Sequence, residues 1–169
     1  RRGCGERGYA VEHALFAARV QHHPARAALI PPLLEALAPI PTEVITDPDP
    51  GGLRDPWRTY RACLTDPPDC THLLIVQDDV WVCHNFPAAL EQIAEANPTN
   101  SICLFVSRQA KITTRFIIKA QQRRAVYPDW SWQDHLPVVG MLWAIDHVHA
   151  FREWGLAFRN PSRSDDAMA

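Results

Sequence analysis

Fifteen prolines punctuate this 169-residue chain and constrain its folding more than any other feature. A proline lacks the backbone donor and biases the residue before it away from helix, so the chain breaks into short apolar runs alternating with polar, helix-compatible stretches. Ala14–Val20 reads as a first strand. Pro24 opens a segment in which Leu29, Leu33, Leu34 and Leu37 recur at helical spacing, and Pro31-Pro32 inside it predicts a late start or a kink. Thr42–Thr46 is β-rich and stops at the loop Asp47-Pro48-Asp49-Pro50-Gly51-Gly52. Arg54–Leu64 suits a short helix with Asp55 as N-cap and Pro56 at the first helical position, ended by Asp66-Pro67-Pro68-Asp69.

Leu73-Leu74-Ile75-Val76 is the most apolar short run, a buried strand delivering Gln77-Asp78-Asp79 at its end. A helix over Phe86–Ala96 stops before Pro98. Ser101–Ser107 and Val138–Ile145 read as further strands, and Asp146–Trp154 as a helix; 108–132 suits a lid or loop. Alternation of this kind predicts one α/β domain over residues 1–169, with a mostly parallel central sheet and helices on both faces. Ligands in such sheets bind beyond the carboxyl ends of the strands, the edge where Asp47/Asp49 and Asp78/Asp79 would meet.

Composition narrows the function classes. Lys and Arg number 17 against 19 Asp and Glu, a net charge of -2, which removes the counterion-release driving force of general nucleic-acid binding. No apolar run approaches the roughly 18 to 20 residues of a membrane span, and Arg1-Arg2-Gly3-Cys4-Gly5 lacks a signal-peptide core, so a soluble, cytoplasmic protein is expected by default. The lack of an initiator Met, and a final stretch Ser164–Ala169 that reads like the opening of a helix, leave room for truncation at both ends. Cys4, Cys63, Cys70, Cys83 and Cys103 form no CxxC pair, which favours reduced, mostly buried thiols; the eight histidines fit no zinc pattern.

Adjacent carboxylates after a buried strand repel each other unless a cation, donors or solvent offset the cost, and a hard divalent cation does so economically. Strand alternation keeps Asp78 and Asp79 from projecting the same way unless the backbone leaves the strand there; it would put Gln77 and Asp79 on one face, with Asp79 as the metal ligand and Asp78 facing a ribose, a backbone donor or the other side. The same pair also suits a plain strand end capping the next turn, and Asp47-Pro48 an ordinary turn.

The run Leu74-Ile75-Val76-Gln77-Asp78-Asp79-Val80 resembles the metal-binding DxD-type segment of GT-A fold glycosyltransferases, in particular the Glu-Asp-Asp variant of lipooligosaccharide-type galactosyltransferases, with Gln77 replacing the first acid. His22-His23-Pro24-Ala25-Arg26 follows the first strand, and the second ends at Asp47, where these enzymes contact the nucleotide. The resemblance implies a GT-A (Rossmann-like) domain that transfers a sugar from a nucleotide-sugar donor to an acceptor hydroxyl of unknown identity. It implies Mn²⁺ or Mg²⁺ bridging the donor diphosphate to Asp79, with Gln77 coordinating through its carbonyl but adding no charge. Asp47 would lie near the ribose or base, Arg26 and then Arg19 near the phosphates, and Asp165 or Asp166 would act as base, although both also suit N-terminal helix charges.

Other clusters remain open. Trp130-Ser131-Trp132-Gln133-Asp134-His135 suits core packing or a sugar-facing surface, Asp146 and His149 helix capping or an acceptor border, and the basic residues between Arg108 and Arg124 a solvated face or an anionic acceptor. Two other classes keep some of these residues: a non-catalytic or degenerate α/β binding module, and a haloacid-dehalogenase-like phosphatase using Asp78 or Asp79, Lys111 or Lys119, and Asp165-Asp166.

Overall fold

The structure, a computed structural model, describes residues 16–52, 55–104 and 139–157. Strand β1 (Phe16–His22) leads through a 3₁₀ segment (Pro24–Leu29) into helix α1 (Ile30–Leu37) and strand β2 (Thr42–Thr46). Helix α2 (Pro56–Cys63), strand β3 (His72–Gln77), helix α3 (Phe86–Ala96), strand β4 (Ile102–Cys103), strand β5 (Gly140–Ala144) and helix α4 (Ile145–Ala157) follow. Pro31-Pro32 resolves as a late start: both prolines lie in the first turn of α1, where their missing donors are unneeded. Asp55 caps α2 by accepting the Arg58 backbone N–H at 3.2 Å.

The five strands order as β2-β1-β3-β5-β4. β2, β1 and β3 are parallel, whereas β5 runs antiparallel to both β3 and β4. The sheet is therefore mixed, with its parallel character confined to the β2-β1-β3 half. The direction of β5 overturns one expectation: Ala144 lies opposite His72, so the start of α4 sits where β3 begins. Asp146 and His149 are thus at the far edge from the ends of β1–β3, and cannot border a site there.

Helices do cover both faces, because side chains alternate along each strand. Ala18 and Val20 of β1 with Leu74 and Val76 of β3 pack on Leu33 and Leu37 of α1 and Leu90 and Ala94 of α3. The opposite face is aromatic: Ala17, Leu73, Ile75 and Trp143 pack on Tyr60 and Cys63 of α2 and Val148 and Phe151 of α4. Trp143 stacks on Phe151 at 4.6 Å between ring centroids, and its indole N–H donates to Tyr60 Oη at 3.0 Å. Each such large side chain contributes about 1.5–3 kcal/mol by leaving water. Burial also pushes the Cys63 thiol up to about 12, so it is an inert core group; the described cysteines are all free.

Arg19 is a buried exception on the aromatic face. Its guanidinium donates to the carbonyls of Cys63 (3.0 Å) and Asp66 (2.9 Å) and to Glu43 (3.0 Å), closing the C-terminal end of α2. With those donors engaged mid-strand, Arg19 holds the fold, and the expected role at phosphates does not apply to it.

Candidate functional site

The parallel half contains a topological switch point. From β1 the chain crosses to β2 on one side, then returns past β1 to β3 on the other, so the connections leaving β1 and β3 part and open a crevice. A cleft of about 510 Å³ occupies that position, with Gln21, His22, Arg26, Asp47, Arg58 and Asp79 among its lining residues. Both acidic loops converge there, as the alternation of elements led us to expect.

Asp78 forms the floor. β3 ends at Gln77, the Val80 N–H turns back to the Gln77 carbonyl (3.4 Å), and the Asp78 N–H is held by the Gln21 carbonyl at 3.0 Å. Strand alternation stops at this turn, so Asp78 and Asp79 both approach Arg26 instead of projecting to opposite faces. Asp78 is 1% exposed. Its Oδ2 lies 2.8 Å from His22 Nδ1 and accepts the His23 backbone N–H at 2.8 Å. Of the roles expected for Asp78, the backbone-donor one describes its contacts: it ties the end of β3 to the end of β1.

Arg26 bridges the two acids. Its Nε lies 3.2 Å from Asp78 Oδ1, an ion pair without hydrogen-bond alignment, so that buried oxygen has no hydrogen-bond donor; its Nη1 donates to Asp79 Oδ2. On the opposite wall, Arg58 of α2 grips Asp47 through Nε (3.1 Å) and Nη2 (2.9 Å), and donates to the Asp49 carbonyl at 2.8 Å. Burial works to raise the Asp47 carboxyl, but the Asp49 backbone N–H and the Arg58 guanidinium outweigh it and hold Asp47 below the usual carboxylate range. Arg58 is raised in turn, chiefly by that hydrogen bond.

Gln77 lines the cleft, paired in register with Gln21. Trp81, just past the acids, is 93% exposed. Sequence reading missed Arg58, because its partner is eleven residues away with no recognisable spacing. His22 was named only as part of the segment after the first strand; its pairing with Asp78, 56 residues on, has no local signal. Asp165, Asp166, the Trp130–His135 cluster, Lys111, Lys119 and the basic stretch lie outside the described residues.

Asp78, Asp79 and Gln77 offer oxygen donors, the chemistry of a hard cation, and the unbonded Asp78 Oδ1 is a buried acceptor beside Asp79. These residues fit Mn²⁺ or Mg²⁺ that arrives with other ligands. Among the described residues no three His, Cys, Asp or Glu side chains group to hold an ion, so water and ligand phosphates would complete the shell. No family model, curated protein or solved structure matches the chain. What fold and cleft define together is an α/β domain with a polar, acid-rich site at a switch point. No helix among the described residues is long and apolar enough to cross a membrane.

Proposed function

We propose that this chain is a GT-A-type glycosyltransferase, using Mn²⁺ or Mg²⁺ to move a sugar from a nucleoside-diphosphate donor to an acceptor hydroxyl. The observation that carries the reading is the charge of the cleft. Five aspartates (Asp47, Asp49, Asp55, Asp78, Asp79) line it against two arginines (Arg26, Arg58), and the arginines are already paired. A diphosphate alone would meet repulsion there, whereas a diphosphate entering with a divalent cation would not. Position at the switch point and the Gln77-Asp78-Asp79 segment support the same reading.

In this scheme Asp79, with Gln77 and the unbonded Oδ1 of Asp78, would hold the cation, which as a Lewis acid would stabilise charge on the departing diphosphate. Asp78 positions the site by fixing His22 and the His23 backbone. Asp47, kept ionised by Arg58, offers a fixed acceptor for ribose or base donors. Trp81 presents an exposed indole face to a sugar or base near the cleft. A base for the acceptor hydroxyl is assigned to Asp165 or Asp166.

Thermal-shift and calorimetric titration with nucleoside diphosphates and nucleotide sugars, each with Mn²⁺, Mg²⁺ or chelator, tests this. Stabilisation requiring both metal and one nucleotide is expected, because a ligand of the native state raises the melting temperature. Asp79→Asn should abolish that shift while leaving the fold intact, and unchanged binding in the variant would remove Asp79 as a ligand. The pairing of both cleft arginines with aspartates also favours a second reading, a non-catalytic α/β module, which predicts no metal-dependent nucleotide binding at all.

A further inference from the structure

Arg26 and a divalent cation have claims on the same oxygens. The guanidinium reaches Asp78 Oδ1 and Asp79 Oδ2 together, which is the pair a cation would bridge. Its fit is incomplete at the deeper oxygen, where the 3.2 Å ion pair lacks hydrogen-bond alignment and Oδ1 is otherwise sealed from donors. Its anchorage is also weak. Arg26 belongs to the 3₁₀ segment Pro24–Leu29, in which no residue is buried, and it carries non-helical backbone angles (φ -111°, ψ 20°) at a kink. Its side chain is 43% exposed, so withdrawing it uncovers no apolar core.

We propose that Arg26 is a displaceable internal cation, which closes the Asp78–Asp79 pair and must yield it before a divalent ion can bind. This rests on the metal-dependent reading above and adds a competitor to it. A guanidinium and a divalent ion within a few ångströms repel strongly in a partly buried site, so the two occupy the carboxylates in turn. Once displaced, Arg26 finds a matching partner in the phosphate that enters with the ion, since its planar fork suits bidentate phosphate contacts. Metal alone therefore binds weakly, and metal and nucleotide bind in mutual dependence. The device guards a cleft of negative charge against casual cation capture.

The test counts bound Mn²⁺ by electron paramagnetic resonance on the whole chain, with and without uridine diphosphate, for the native protein, Arg26→Ala and Arg26→Lys. Removing the competing charge should let Arg26→Ala bind Mn²⁺ alone about tenfold more tightly, and should shrink the gain that uridine diphosphate brings. Arg26→Lys retains the charge and should stay close to the native affinity. Unchanged circular dichroism in both variants establishes that the fold is not the cause. The proposal is overturned by Arg26→Ala binding Mn²⁺ no more tightly than the native protein, by Lys behaving like Ala, or by no Mn²⁺ binding in any form. Tighter Mn²⁺ binding in Arg26→Ala with no effect of uridine diphosphate leaves the competition standing and removes the transferase reading; nucleotide-dependent Mn²⁺ binding without that tightening does the reverse.

Discussion

Arg26 and Arg58 face each other across the cleft, each beside two aspartates, yet they are supported differently. Arg58 projects from α2, whose Thr59, Tyr60 and Cys63 are buried, and its guanidinium bonds Asp47 and the Asp49 carbonyl in a nearly complete set. Asp47 is 13% exposed and Arg58 22%. Arg26 rises from a segment that buries nothing, and its partner Asp79 is 46% exposed. The same pairing chemistry makes a fixed wall where the backbone is packed and a movable contact where it is not. Polar contacts alone do not distinguish the two; the anchorage beneath them does.

The largest test of this contrast falls on the floor the walls share. Asp78→Ala leaves His22 and the His23 N–H without their acceptor and should cost about 3 kcal/mol in urea unfolding, the range for breaking a buried ion pair; a loss below about 1 kcal/mol would show that Asp78 does not join β1 to β3. Arg58→Ala comes next: it unties β2 from α2, and a clear fall in melting temperature is expected, against none for Arg26→Ala. Equal falls in the two variants would erase the distinction.

Acid titration sharpens it further. Asp47 is held down in the folded state, so its contribution is complete above its ordinary value of 3.8 and is lost as pH falls through the lower folded value. In Arg58→Ala that acid limb should move to higher pH. At the opposite edge, His72 is lowered from 6.5, first by burial, so its contribution is complete above that value and declines as pH falls below it. His72→Leu should flatten the decline near pH 6, measured as melting temperature against pH. The smallest effect is that of Arg26→Ala on stability itself, within about 0.5 kcal/mol as for other exposed positions.

Much of this arrangement was legible beforehand. Thr42–Thr46 and Phe86–Ala96 match their sequence-predicted bounds, because a proline-bounded β-rich run and a helix stopped before Pro98 are local signals. The first strand runs two residues beyond its expected end, to His22, because pairing with β2 carries it to His22 opposite Thr46. The gathering of Asp47, Asp49, Asp78 and Asp79 was also foreseeable, since parallel strands present their carboxyl ends to one edge. Gln77 and Asp79 both line the cleft, and Asp78 joins Asp79 beside Arg26 because the backbone leaves the strand after Gln77, the one condition under which adjacent acids can approach the same group.

Local chemistry, then, determined the elements of this protein: prolines and short apolar periods are read residue by residue, and they act before any distant contact forms. Tertiary structure alone decided that β5 runs antiparallel, which carries Asp146 and His149 away from the cleft. It also decided the partners of the charges, joining Arg19 to the end of α2, Arg58 to Asp47 and Arg26 to Asp78 and Asp79. A guanidinium carries no periodic signature, and the carboxylates that satisfy it across tens of residues are chosen by the packing that brings them within reach.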